Sequence, residues 1–561
     1  MRTFLATTFG VFLLFVASPG HATVVHAKLW HVVARVPKFI KVAKDLGPAS
    51  PSQPLTLSVH LRYPNEKAVR AFVDAVNNPQ SPSFGAFLTP AQFTQTYEPT
   101  GRSYSTVEYD IIQAGGQNPL TFANRKVFVV TMLVAEADAL FGTQIDNYQL
   151  GSVTYYANAT PAVVPGINGF QLIRSVSGFT NFSTTLSQPP LESSMPGYSP
   201  AQIQTAYDEP IHANPKLTGS GATIAIATVG DYLDSDLSAF WSAYGVHYTG
   251  TLSRVAVAGK ARKVRRPGTI FGPETTLDVE QTTSNAPGAN VTVYEAGDTQ
   301  STTLDQVYEG IVNAPHVDVV TTSFGACEIG ADETEIASDN DLFEQAAAQG
   351  QTWFAASGDN GSHDCGTNAP PYGYPGYPNP NTVDFPASSP YVAAAGGASL
   401  FVNPSGGIAA EKGWSGSGGG VSRYFARPPY QNTVPTLADR TDRNVPDVAL
   451  DADPSTPYAF YFMGSFAQSI GGTSAVAPNL AALFAQMDQR FGYRLGLAQT
   501  GLYYGFITGT YPGGPAWHDI RHGRNGHFRA GTGYDNVTGI GSIDGYQLML
   551  QMPPVPNPVP L

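Results

Sequence analysis

Apolar positions fall into two regimes along the chain. From Leu55, LTLSVHLRY alternates as a half-buried strand does. EKAVRAFVDAVNN from Glu66 carries its apolar residues at helical spacing, and so does VEYDIIQAGG from Val107. VFVVTML from Val127 and YQLGSVTYYA from Tyr148 predict further strands, with AEADALFG from Ala135 a short helix between them. Strands and helices mixed in this way predict a small α+β unit. Past residue 198 the pattern changes. ATIAIATV from Ala222, ANVTVYEA from Ala289, VDVVTTSF from Val317 and TWFAAS from Thr352 are short apolar strands. Between them, DSDLSAFWSAYG, TLDQVYEGIVN and DNDLFEQAAAQG have helical spacing. Strand and helix in alternation predict an α/β domain built on a doubly wound parallel sheet.

The ends and the join between these regimes are legible as well. Arg2 followed by FLATTFGVFLLFVA reads as a secretory signal, cleaved after Ala22 or Ala27, and the apolar run is short for a membrane span. No later run is long enough to hold the chain in a membrane once the signal is removed. SQPPLESSMPGYSP from Ser187 is rich in Pro and Ser and marks a linker. The expected division is a signal peptide at 1–27, an N-terminal domain at 28–180, a linker at 181–197, the main domain at 198–552, and an extended, unfolded Pro-rich tail at 553–561.

Charge sharpens this division. Residues 28–190 carry +3 and residues 191–561 carry −17. An acidic main domain is a poor partner for nucleic acid, whose phosphates need clustered cations. The one basic run, Lys260 to Arg266, reads as a solvated loop. The glycine-dense WSGSGGGVS from Trp414 lacks the strand–helix setting of a dinucleotide loop. It reads either as a backbone strip facing a substrate or as a flexible loop.

The chemistry gathers around GGTSAVAPNLAALFAQMDQR from Gly471, where two glycines and a turn lead into an apolar-periodic helix. Ser474 then stands at the positive end of that helix, a good position for a nucleophile, although a plain helix cap reads the same way. A serine hydroxyl needs a base. None of the 11 histidines lies in a His-Gly-x-His setting, so carboxylates are the better candidates. Glu274 and Asp278 are four apart in GPETTLDVEQTTSNAP, which on a helix puts both carboxyls on one face. Carboxyls that close share protons and titrate as a pair. Asp359, in AASGDNG, follows an apolar run in a Gly-flanked turn, and a carboxyl kept neutral there could donate to an oxyanion.

In these residues the chain resembles the sedolisin family of serine-carboxyl peptidases. The matching words are E-x-x-x-D at Glu274 and Asp278, SFGACE at Ser323, SGDNG at Ser357, FPASSPYVAAAGG at Phe385, NVPDVALDADP at Asn444 and GGTSAVAP at Gly471. They occur in the family's order and span most of the chain from about residue 195. The resemblance implies a subtilisin-like doubly wound α/β fold, preceded by a ferredoxin-like α+β prodomain that acts as chaperone and intramolecular inhibitor and is then removed. It implies Ser474 as nucleophile, Glu274 as base, Asp278 as its partner and Asp359 at the oxyanion, acting on protein or peptide substrates.

The resemblance also implies one calcium ion, held by the carboxylates of Asp519 and Asp535 and the carbonyls of Ile520, Gly531 and Gly533. Hard oxygen donors of this kind suit calcium. His522 and His527 are then loop-surface residues. The implied activity is a secreted endopeptidase working in acid and made as a self-processing precursor, extracellular or periplasmic. A tripeptidyl-type exopeptidase and, in another class, an inactive calcium-stabilised binding module are the alternatives. Export makes one disulfide between Cys327 and Cys365 the expectation, against two unpaired thiols. Two positions depart from some members: Phe324 stands where they have Trp, and Thr228 where they have Glu.

Overall fold

The apolar runs past residue 198 become inner strands of one sheet, buried on both faces as parallel strands are. The computed structural model describes residues 30–166, 169–183, 185–186, 191–193, 197–257, 272–363, 381–466, 469–508 and 516–561. Across the eight-stranded sheet the order is Leu252–Ala256, Asn290–Ala296, Thr223–Val229, Val319–Thr322, Thr352–Ala356 and Ala393–Val402. All of these pair in parallel. The last strand also pairs with Val448–Asp451 in parallel and with Ile408–Gly413 antiparallel.

Alternation along each strand sends side chains to two separate cores. Ile224 and Ile226 pack with the Gly272–Asn285 and Thr473–Phe491 helices on one face. Ala225 and Ala227 pack with Ser301–Val312 and Glu333–Ala348 on the other. Helices on both faces make the sheet doubly wound, as the alternating pattern implies. Among the described residues no helix is long and apolar enough to cross a membrane. The signal segment and the Lys260–Arg266 run lie outside the described residues.

The N-terminal unit is α+β, as expected. Its four-stranded antiparallel sheet runs Gln117–Thr121, Val127–Leu133, Pro54–Leu61, Ile173–Ser177. In chain order that is second, third, first, fourth, the ferredoxin-like arrangement. The helix Glu66–Val76 is capped by Asn65, whose side chain accepts from Ala68 N. This unit docks on the Ser301–Val312 and Glu333–Ala348 helices through buried polar pairs. His60 Nε2 lies 2.9 Å from Asp305 Oδ2. Lys126 Nζ donates to Asp341 Oδ2 at 3.0 Å, and Asn124 Nδ2 to Glu309 Oε2 at 2.7 Å.

Two end segments differ from expectation. The Pro-rich tail is extended but docked, because its polar groups find partners on both units. Asn557 Nδ2 donates to the carbonyls of Pro82 and Phe84, and Arg494 N donates to Val559 O. The linker supplies two short strands to the main domain. Thr185–Leu186 pairs with Gly325–Cys327, and Leu191–Ser193 pairs with Ser469–Gly471.

The stretch from Arg443 to Asp451, which overlaps one of the matching words, is a structural knot. Arg443 and Asp447 are both fully buried and bonded at 2.7 Å. Asp447 also accepts from Ala394 N and Tyr503 OH, while Arg443 donates to the carbonyls of Ala387, Ser388 and Val392. Removing one partner strands the other charge away from water. Asp447→Ala is therefore expected to cost about 3–5 kcal/mol, measured as a lower denaturant midpoint. A change within experimental error would show that the pair is not what ties these loops to the sheet.

Candidate active site

The Gly272–Asn285 helix is polar in sequence and yet buried from Glu274 to Asn285. It lies beside the Ser474 helix on the same face of the sheet, and some of its polar side chains find partners within the fold. Thr275 Oγ1 lies 2.9 Å from Thr228 Oγ1, and Asn285 bonds with Asn479 of the Ser474 helix. Glu274 falls in the first turn and Asp278 one turn on. The predicted common face is real, and both residues are fully buried.

Ser474 is in the first turn of the Thr473–Phe491 helix, 6% exposed. Gly472 precedes that helix at φ 121°, a region that disfavours side chains. A Cβ at Gly472 would also lie 2.8 Å from Asp359 Oδ2. Glycine is required there by conformation and by close approach at once. Asp359, half-buried after the Thr352–Ala356 strand, is held from the same turn. Thr473 N and Thr473 Oγ1 donate to its Oδ1 at 2.7 and 2.8 Å. The residue beside Ser474 thus fixes the Asp359 carboxyl.

The four expected residues meet electrostatically. Burial raises Glu274 well above the ordinary carboxyl range, and the charges of Asp278 and Asp359 raise it further. The hydroxyls of Ser474 and Ser323 act in the opposite direction. Asp278 is raised by burial and opposed by Ser323, and Asp359 is raised by burial and opposed by Thr473. Neither oxygen of Glu274 has a hydrogen bond of normal geometry. Carboxyls in this condition can hold, share and release protons near a hydroxyl.

Sequence reasoning passed over two members of the site. Ser323 Oγ donates to Asp278 Oδ1 at 2.7 Å, and Thr473 anchors Asp359. The available signal was position: Ser323, like Asp359, directly follows the carboxyl end of a parallel strand, where sites of such sheets lie. At the two departures, Thr228 is bonded to Thr275, and Phe324 is buried in the core below the sheet with a ring that offers no donor.

The glycine strip is packed into the fold. Gly416 to Gly420 are buried, and Gly418 N donates to Gly358 O at 2.8 Å. A Cβ at Gly418 would strike the Ser357 carbonyl, so the glycines serve close packing behind the Asp359 turn. The linker strands, by contrast, lie on the segments next to Ser323 and just before Ser474. Cys327 is disulfide-bonded, and Cys365 lies outside the described residues.

The loop expected to hold calcium is ordered around its two aspartates. Asp535 Oδ2 accepts from Gly531 N at 3.0 Å, and its Oδ1 accepts from Val537 N and Thr538 N. Asp519 Oδ1 accepts from Gly533 N at 2.8 Å, while its Oδ2 pairs with Arg521. Burial pushes Asp535 up to about 6. Ile520 is buried beside Asp519, and His522 and His527 are exposed, as expected. A second acidic group, Asp305, Glu335 and Asp339, meets under His60 at the interface with the N-terminal unit.

Comparison with known proteins covers both units. Residues 41–182 match the pro-kumamolisin activation domain, and residues 257–500 match the subtilase family. Sedolisin of Pseudomonas sp. (strain 101) is 30% identical over 522 residues, spanning 87% of this chain and 85% of the relative. Kumamolisin of Bacillus sp. (strain MN-32) is 36% identical over 378 residues, 64% of each protein. The solved structure of Pseudomonas sedolisin, a serine-carboxyl proteinase complexed with pseudo-iodotyrostatin, aligns with a TM-score of 0.55 at 29% identity, covering 63% of this chain and 97% of the other. An activation domain ahead of a subtilisin-like sheet, with this identity along nearly the whole length, places the chain in the sedolisin family of serine-carboxyl peptidases, as a kumamolisin-like precursor.

Proposed function

We propose that this peptidase is a secreted endopeptidase of acidic media that cuts its own linker, with Ser474 as nucleophile, Glu274 as base, Asp278 as the base's partner and Asp359 as oxyanion donor. The observation that carries this reading is the meeting of Ser474 with three carboxyls whose pKa values are raised. Ser474 Oγ attacks the peptide carbonyl carbon as its proton passes to Glu274. The Glu274–Asp278 pair gains that proton and returns it to the leaving amine. Water then enters by the reverse route, and the acyl-enzyme ester is hydrolysed.

Asp359 must be protonated to donate to the oxyanion. Its pKa is raised, so the donor is present in acid and is lost as pH rises through that value. The base is a pair that needs one carboxyl ionised, and burial raises both, so the base is lost as pH falls through those values. The Asp359 donor therefore supports activity toward acid, and the pair sets the acid side of the profile. Export is supported by the signal pattern and by the disulfide at Cys327.

The linker strands support self-processing. Antiparallel backbone pairing beside Ser474 and Ser323 is how an extended peptide is bound at a sheet edge. Acid then acts on the docked prodomain in two directions. Burial lowers His60, so the docked form binds fewer protons there, and falling pH through about 6.5 favours release. Burial raises Asp305, Glu309 and Asp339, which face it, so acid favours keeping them covered. His60 is the group among these whose titration favours release in acid, the carboxyls oppose it, and Lys126 and Asp341 are the neighbouring ion pair.

Calcium fits the 519–535 loop by donor chemistry. All five donors would be oxygens, and a cation would offset the buried charge of Asp535. Asp519, Asp535 and the carbonyls of Ile520, Gly531 and Gly533 would hold it, and the ion would supply stability, with no part in the bond-making steps.

Ser474→Ala and Glu274→Ala are each expected to abolish peptide hydrolysis, with little further loss in the double variant. Asp359→Ala should lower kcat by roughly 10²–10³. Retained hydrolysis by Ser474→Ala would end this reading. The precursor should stay whole near pH 7 and cut itself between Asn181 and Tyr198 near pH 4, as followed on gels with N-terminal sequencing. The Ser474→Ala form should remain whole, and His60→Gln should cut normally but release its prodomain more slowly in acid. Full activity of the uncut precursor at pH 7, or acid cutting of the Ser474→Ala form, would refute self-processing. Chelation or Asp535→Ala should lower the Tm of the mature enzyme, by an amount set by calcium concentration over Kd. Superimposed melting curves with calcium and with chelator would remove the ion from the account.

A further inference from the structure

Asp278 is fully buried beside Glu274, and one of its oxygens has a donor. Ser323 Oγ lies 2.7 Å from Asp278 Oδ1 and 3.3 Å from the carbonyl of Ser474. A hydroxyl carries one hydrogen, and the shorter, charge-assisted contact takes it. Asp278 Oδ2 has no hydrogen-bond partner, and Glu274 has none of normal geometry, although the Ser474 and Ser323 hydroxyls both act to lower its proton affinity. The supports expected elsewhere are engaged or apolar: Thr228 faces Thr275, and Phe324 has no polar atom on its ring. Ser323 itself is held in place as the residue that follows the Val319–Thr322 strand, and it is 6% exposed.

We propose that Ser323 is a positioning residue of the catalytic set, whose hydroxyl holds Asp278 as the ionised member of the carboxyl pair and so makes it the final acceptor of the proton that leaves Ser474. The inference rests on the catalytic roles proposed above. In the resting pair, Glu274 carries the shared proton and Asp278 is the anion. As Ser474 Oγ bonds to the peptide carbon, its proton passes to one Glu274 oxygen while the proton on the other passes to Asp278. The carbonyl becomes an oxyanion facing Asp359, and the pair ends with two protons, one of which later goes to the leaving amine. Protons and charge balance without any further reactant. The contact from Ser323 to the Ser474 carbonyl places the donor against the nucleophile's own turn, so the pair and Ser474 share one reference point.

The charged group facing the pair from outside its own helix is Asp359. The helix at Ser474 presents a hydroxyl there, whereas Thr228 on the neighbouring strand bonds Thr275 instead. Asp236 of the neighbouring helix is occupied with the backbone amides of Met463 and Gly464 and influences Glu280 instead. Removing the Ser323 hydroxyl therefore acts on the pair directly, with Asp359 as the one titratable neighbour from outside that helix.

The test is the pH dependence of kcat/KM for peptide hydrolysis by the matured enzyme in the series Ser323, Ser323→Thr, Ser323→Cys and Ser323→Ala. Without the donor, the pair takes up its second proton at higher pH. The acid limb of the Ala profile is expected to move up by about one pH unit, and kcat/KM at the optimum to fall about tenfold. Thr should restore the wild-type limb, and Cys, a weaker donor, should fall between. This ordering survives the loss of any one variant to misfolding, and Tm values identify such a loss. If a variant matures too slowly, the rate of linker cutting against pH gives the same limb. Acid limbs that coincide across the series, or a Thr variant that behaves as Ala does, would overturn the proposal. Ser474→Ala serves as the control: activity there would refute the catalytic roles themselves, whereas an inactive Ser474→Ala with an unmoved acid limb refutes Ser323 alone.

Discussion

Carboxyl groups kept away from water are the constraint on which this molecule depends. Glu274 and Asp278 are fully buried on one helix face, and Asp359 is fixed beside them by Thr473. Charged groups in such a place would ordinarily be costly. Under the roles proposed above, the cost becomes useful because these groups exchange protons with each other and with hydroxyls, and the site stores a proton where a histidine enzyme would use an imidazole. The doubly wound sheet provides the dry setting. Its strands end at Ser323 and just before Asp359, and the two helices that carry the pair and Ser474 lie on the same face.

The same physics recurs at the interface with the activation domain, with a different outcome. His60, Asp305, Glu309 and Asp339 are covered when the domain docks, and their proton affinities move in opposite directions. Under the proposed roles, catalysis and docking respond to pH through separate groups, on opposite faces of one sheet. The Arg443–Asp447 pair shows a third use of buried charge, in which two full charges are matched and bonded so completely that they serve as a fastener.

Much of this was legible in the chain. Period and apolar content gave the two fold classes, because a parallel strand buried on both sides and an alternating strand differ in pattern. Glu274, Asp278, Asp359 and Ser474 stood out because their spacing and glycine neighbours are unusual. Ser323 did not, since a serine after a strand looks alike whether or not a carboxyl waits 45 positions earlier in the chain. His60 and Asp305 are 245 positions apart and carry no local mark of their meeting. The glycine strip stayed ambiguous because glycine permits both exposure and tight packing, and its close fit to the Ser357 and Gly358 backbone shows only in three dimensions. The tail read as unfolded because proline gives no donors, yet the Asn557 side chain and the Val559 carbonyl both find partners.

The linker strands alter the arithmetic of inhibition. If the segments at 185–186 and 191–193 occupy the place of a substrate, as proposed, then while the linker is intact they compete for it as part of the same molecule. Their effective concentration is on the order of millimolar, whatever the amount of protein in solution. Under the proposed self-cutting, breaking one peptide bond turns that competition into a bimolecular one. The freed segment then counts only at its actual concentration, so simple dilution into a larger volume completes the activation that the cut begins.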